Sequence, residues 1–384
     1  MASIDDKSKL RGRVPIVIGC GPAGLASALG LSNIYERVVL VEKHPTFEKR
    51  GSTFGMGANG QKTLDELRPG LRKQMEDIGM STGPGGSLVF VWWEMRDALL
   101  SCVKESSNID LYCGEEFTNI DRSENGVLVT FKSGLELHGD FLVGADGVRS
   151  KVREVLNLPP TIESENTNYR GSLQVPDTAS PELQALLQKG IAPLFSGNGK
   201  ALYFLCFSFH RRHPGRLTWI LATNLDVQND STITPYSIIE ENVKDKGDLA
   251  LIKEIFDLSD SQHLQPYPKT SVVDMSDTVL SSMNGGWGGK GLISLVGDAA
   301  HGMRPTDGYG GSMALEDAVV LPRMILQNST EPLPEVLRKF EAHRLSRVKR
   351  IYDNQQERYH LRMNEGKKLD AQSKEFLEWL LAGV

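Results

Sequence analysis

The apolar residues fall into two periods that divide the chain. Val14-Pro-Ile-Val-Ile18 is a continuous apolar run that breaks into Gly19-x-Gly21-x-x-Gly24. Leu25 to Ser32 then carries helical spacing, and a second run, Val38-Val-Leu-Val41, ends in Glu42. Short strands are expected at Ile109–Tyr112, Phe117–Ile120, Val127–Phe131 and Phe141–Val143, separated by glycine and charged turns. Residues 160 to about 280 change character. A helix-like stretch, Pro181 to Lys189, precedes two alternating runs. The first places Tyr203, Leu205, Phe207 and Phe209 on one face; the second places Leu217, Trp219 and Leu221 on one face. Ile238 to Leu258 reads as an amphipathic helix. A late apolar strand, Leu292 to Val296, is followed by a Gly- and Pro-rich loop and a helix opening near Ser312, which Pro322 should kink or end. Leu333 to Glu365 is charged and amphipathic, and Ala371 to Leu381 forms a short last helix.

Strand, glycine turn, helix, strand and acid is the order of a dinucleotide-binding unit. The first glycine allows the tight turn, the second admits a pyrophosphate, and the third lets helix and strand pack closely. Glu42 stands 18 residues beyond Gly24, placed to accept hydrogen bonds from a ribose diol. In the late segment, Gly308, Gly310 and Gly311 let a flat ligand lie on the backbone. Free N–H groups at the start of the following helix suit an anion or an electron-rich carbonyl, and Glu316 and Asp317 are expected in its first turns, where the dipole favours them.

Composition narrows the class. The 384 residues suffice for two domains around substantial cores. With 43 basic against 49 acidic residues, a net charge of −6 and no long run of either sign, a nucleic-acid partner is not expected. Cys20, Cys102, Cys113 and Cys206 are widely spaced and show no pairing or zinc pattern, so reduced thiols in a cytoplasmic setting, and no metal site, are expected. No apolar run approaches the ~20 residues that span a bilayer, and the polar first thirteen residues show no secretory signal.

Gly297-Asp-Ala-Ala-His301, then Pro305, Gly308, Gly310 and Met313-Ala-Leu-Glu-Asp-Ala318, resembles the flavin-binding motif of the class A flavoprotein monooxygenases, the para-hydroxybenzoate hydroxylase-like family that includes salicylate hydroxylases and zeaxanthin epoxidases. Arg50-Gly51, the Arg96-x-x-Leu99 helix start and Asp146-Gly147-Val-Arg149-Ser150 resemble further parts of its pattern in the same order. The resemblance implies an α/β fold: an FAD-binding Rossmann-like domain of the glutathione reductase type, with an inserted antiparallel-sheet substrate domain and a helical C-terminus. Residues 1–160 and 283–330 would form the FAD-binding domain, 161–282 mainly the substrate sheet, and 331–384 the C-terminal helices.

What the family does is then expected here. NAD(P)H reduces non-covalently bound FAD, O2 adds to it, and the flavin hydroperoxide places one oxygen atom into an aromatic, polycyclic or olefinic molecule. Carried over by position, the cofactor residues are Gly19, Gly21, Ala23, Gly24, Glu42, Lys43, Arg50, Arg96, Asp298, Gly308, Gly310, Gly311 and Ser312, with Asp298 on the ribityl chain. Arg304, Pro305 and Tyr309, the last standing where many relatives carry Gln, are the candidates nearest the chemistry, with His44 and Asp307 beside them. The resemblance also places Arg149 and Arg153 near the nicotinamide nucleotide, where they either steer a phosphate or are helix-start surface cations. Tyr203, Leu205, Phe207 and Trp219 serve either as a wall for a flat substrate or as ordinary core; Trp92 and Trp93 carry the same two alternatives. A monomer or homodimer is expected. The rival readings are a flavin reductase or dehydrogenase on the same fold and a non-catalytic prenyl-carrier protein.

Overall fold

The computed structural model describes residues 10, 12–49, 53–82, 86–123, 126–164, 166–196, 201–209, 212–227, 229–230, 232–267, 269–283, 286–305, 308–365 and 374–383. Five parallel strands form the central sheet, in the order Ile293–Leu295, Phe141–Gly144, Pro15–Ile18, Val38–Glu42 and Ile109–Cys113. The first and second apolar runs, Pro15–Ile18 and Val38–Glu42, are buried almost throughout, as strands covered on both faces must be. Helix Pro22–Ser32 packs on this sheet with every residue after Pro22 buried, which explains its lack of a polar face. The chain leaves the sheet after Gly144 and returns about 150 residues later, when Ile293 pairs with Leu142.

The intervening segment builds an antiparallel sheet in the order Thr167–Gln174, Arg216–Thr223, Ala201–Ser208 and Ile191–Ser196. One face of this sheet is a separate core in which Phe204, Cys206, Trp219 and Leu221 pack on Ile252, Ile255 and Phe256. Phe204 and Trp219 stack at 5.7 Å between ring centroids. The other face meets strand Leu88–Val91, where Phe207, Leu205 and Ile220 pack on Val89, Val91 and Trp93.

Three local expectations are corrected. Ile238–Leu258 is two helices, Pro235–Asn242 and Lys246–Asp257, because Asp245 caps the second by accepting from the Asp248 N–H at 2.9 Å. The helix after the glycine loop begins at Tyr309, with Gly308 as a left-handed cap (φ 72°), so Glu316 and Asp317 lie about two turns in, beyond the reach of the dipole. Pro322 does not end that helix, which continues to Gln327. Pro322 leaves the Ala318 carbonyl without its intrahelical donor, and Gly30 of the neighbouring helix packs there so tightly that a Cβ would lie 2.1 Å from that oxygen. The interhelical packing outweighs the break that proline favours. Among the described residues, no helix is long and apolar enough to cross a membrane.

Candidate cofactor and substrate site

The three glycines of the first turn do different work. Gly19 has φ 104°, and a Cβ there would lie 2.6 Å from the Ala145 carbonyl oxygen. A Cβ on Gly24 would lie 1.8 Å from the Gly19 carbonyl oxygen, so close packing requires this glycine. Nothing protein-made comes within 4 Å of a Cβ position at Gly21, where the helix N-terminus is open to a ligand. Glu42 accepts from the Cys20 N–H at 2.9 Å and the His44 N–H at 3.0 Å, leaving acceptor capacity on both oxygens. Lys43 and His44 are exposed.

The late motif closes onto this turn. Gly297 packs directly on Ala23, where a Cβ would approach to 2.5 Å. Asp298 follows at the start of the short helix Asp298–His301. Its carboxylate accepts no hydrogen bond from any described residue. Solvent reaches it, yet protein surrounds it so closely that desolvation pushes its carboxyl above the usual range, against an opposing influence from His301. Gly310 stands across from it, with a Cβ position 3.7 Å from Asp298 Oδ1. The packing of Gly297 on Ala23 thus brings the open helix start at Gly21 to the same side as the free Asp298 acceptor and the bare backbone of Gly310, an arrangement that fits an extended dinucleotide cofactor.

Other residues singled out by sequence have their side chains or faces engaged in packing. A Cβ on Gly311 would strike the Phe54 ring at 2.0 Å, so that glycine admits a side chain rather than a ligand. The Ser312 hydroxyl accepts from the Gly57 N–H at 2.9 Å. Gly308 sits against Gly55. Tyr309 is buried with its ring edge-on to Phe376 at 6.1 Å. Arg304 lies 4.1 Å over the Tyr359 ring and donates to Gln356 at 2.9 Å, while Pro305 is exposed. Arg96 is buried; it donates to the Glu48 carbonyl at 2.8 Å and to Asp97, and lies beside the Phe47 and Trp92 rings, anchoring the segment after Glu42. Arg153 is not a steering cation, because it is buried and donates to the Ala299 and Pro159 carbonyls. Arg50 and Asp307 lie outside the described residues.

Strand pairing divides the four candidate substrate residues. Leu205 stands opposite Ile220, and Phe207 opposite Thr218, whereas Trp219 pairs with Cys206. Trp219 therefore belongs to the opposite, fully buried face, where its Nε1 donates to Ser259 at 2.9 Å. It lines core. Register also adds a residue that alternation within one strand missed: Arg170 pairs with Ile220 and so shares the face of Leu205. Its guanidinium lies 5.8 Å from the Tyr267 ring, and its buried Nε has no acceptor.

Sequence reading also missed a buried ionic cluster. Glu316 accepts from Asn59 (2.8 Å), Arg344 (2.8 Å) and twice from Arg347 (2.6 and 2.7 Å). Arg344 and Arg347 stand three apart on Leu333–Glu365 and meet the adjacent acids of the neighbouring helix. In a helix that reads as charged and amphipathic, these two arginines are buried.

Residues 47–355 match the model of the FAD binding domain family. The chain is 26% identical to FAD-dependent monooxygenase cle3 of Aspergillus versicolor, over 88% of this chain and 74% of that protein. It is 24% identical to an FAD-dependent urate hydroxylase of Klebsiella oxytoca, over 87% and 86%. Among solved structures, CtdE with FAD and a substrate has a TM-score of 0.76 at 16% identity, covering 97% of this chain and 96% of that one. Klebsiella pneumoniae HpxO with FAD and uric acid has a TM-score of 0.70 at 21% identity, covering 99% and 94%. A glycine turn open at Gly21, a free Asp298 and an inserted antiparallel sheet thus occur in a chain that belongs to the FAD binding domain family and, within it, to the FAD-dependent monooxygenases.

Proposed function

We propose that this monooxygenase uses NAD(P)H and O2 to place one oxygen atom in a planar aromatic, polycyclic or olefinic molecule that carries an anionic or readily ionised oxygen. The balance is substrate, O2, NAD(P)H and a proton giving oxygenated product, water and NAD(P)+. FAD supplies the oxygen activation; the chain binds it, orients it and keeps water from the site. Glu42 would hold the ribose diol, Asp298 the ribityl hydroxyls, and the N–H groups at the Tyr309 helix start the electron-rich end of the ring.

The observation that carries the substrate class is Arg170. A half-buried guanidinium whose buried Nε has no acceptor, on the same sheet face as Tyr203 and Leu205, favours a ligand that brings negative charge to an otherwise apolar wall. Phe207 borders that wall where it runs into the interdomain packing. The urate that names one relative is of this chemical type, although its identity does not transfer. We place the enzyme in the cytosol, as a monomer or homodimer.

Anaerobic stopped-flow reduction tests the reading. A true substrate should speed flavin reduction by NAD(P)H at least ~10-fold, about 1.4 kcal/mol off the barrier. Arg170→Gln should lose that stimulation for anionic substrates first. Reduction indifferent to every phenolic, enolic and urate-like compound, with no oxygenated product, would move the assignment to a dehydrogenase.

A further inference from the structure

Asp317 is fully buried and accepts three hydrogen bonds: from the Gly297 N–H at 2.9 Å, from His301 Nε2 at 2.7 Å and from Arg344 Nε at 2.7 Å. The first two donors are the two ends of the turn that carries Asp298. Gly297 adopts φ 57°, ψ −144°, a conformation that is essentially restricted to glycine, so the shape of this turn depends on that residue. One carboxylate therefore grips it before and after Asp298. Burial alone would raise the Asp317 carboxyl, but His301, Arg344 and the Gly297 N–H together hold it below the usual range, so it stays ionised. Asp298, between the two gripped points, keeps its own carboxylate free.

We propose that Asp317 is a positioning residue for cofactor binding: it fixes the Gly297–His301 turn so that the Asp298 carboxylate meets the ribityl chain. Arg344 brings the Leu333–Glu365 helix into the same device, making a distant part of the chain a determinant of flavin affinity. The inference rests on the reading that Asp298 meets the ribityl hydroxyls.

A double-mutant cycle on the purified full-length apoprotein tests it, with FAD affinity measured by fluorescence titration and apoprotein melting followed in parallel. Asp298→Ala and Asp317→Asn should each weaken FAD binding roughly 10- to 100-fold, the span expected for a hydrogen bond to a charged group. Because Asp317 acts through Asp298, adding Asp317→Asn to Asp298→Ala should cost less than about threefold more. Independent, multiplying losses would overturn the proposal and leave Asp317 a structural residue, as would an unchanged affinity in Asp317→Asn alone. An unchanged affinity in Asp298→Ala would instead sink the ribityl reading itself, and the proposal with it. If Asp317→Asn yields no soluble protein, His301→Leu, which keeps the Gly297 and Arg344 bonds, enters the same cycle under the same criteria.

Discussion

Two sets of charged side chains in the molecule behave oppositely. Glu316 and Asp317 are buried, and together they accept seven hydrogen bonds, four and three respectively. Asp298 is exposed and Arg170 half-buried, and neither makes a hydrogen bond through its charged group to any described residue. All four side chains are charged, so charge alone does not distinguish scaffold from site. Unused hydrogen-bonding capacity does. A buried donor without an acceptor, such as the Arg170 Nε, is costly, and a fold that retains one keeps it for a partner from outside.

Substitutions on the two sides should differ in what they cost apoprotein stability. The largest effect belongs to the saturated set: Arg344→Met leaves Glu316 and Asp317 short of a cation and should cost roughly 3–5 kcal/mol of apoprotein stability in urea unfolding. A loss below about 1 kcal/mol would mean the cluster is softer than its geometry implies.

Glu341 is intermediate. It is buried, accepts from Ser294 Oγ at 2.9 Å and the Gly289 N–H at 3.2 Å, and lies 3.1 Å from Arg338, but desolvation exceeds these and pushes its carboxyl up to about 7. The folded state then binds a proton that the unfolded chain has released. This contribution is fully present below the unfolded value near 4.5 and is lost as pH rises to about 7, a total of roughly 3 kcal/mol. Glu341→Gln should flatten the stability of the protein between pH 5 and pH 7.5 relative to wild type. Parallel stability curves for the two proteins would show that Glu341 is ionised throughout.

The smallest effect on folding falls on the free set. Asp298→Ala should leave apoprotein melting unchanged while removing about 1.5–3 kcal/mol of FAD affinity. A drop in apoprotein stability comparable to that of Arg344→Met would erase the distinction between the two sets.

The sequence revealed what depends on neighbours along the chain. The buried parallel strands show as unbroken apolar runs, and the Gly19–Gly24 turn and Asp298 stand in recognisable local order. What depends on register or on distant partners was not legible. Alternation assigns Leu205 and Trp219 each to a face of its own strand, but only the pairing of Leu205 with Ile220 shows that those faces are opposite. The arginine partners of Glu316 and Asp317 lie 27 to 31 residues downstream on another helix, which reads only as charged and amphipathic. Pro322 was expected to disturb its helix because nothing local announces that Gly30 packs against the freed carbonyl.

The late return of strand Ile293–Leu295 to Leu142 has a consequence for biosynthesis. Gly21 and Glu42 leave the ribosome some 250 residues before Asp298, and the antiparallel sheet between them is made of closer-range pairings. Loop closure over that distance is slow compared with local pairing. The nascent chain therefore matures from the middle outwards: the inserted sheet can collapse while the flavin cleft is still two separate halves. Cofactor capture becomes a late event of assembly, and until then the open edge of the Phe141–Gly144 strand is the surface most exposed to wrong partners.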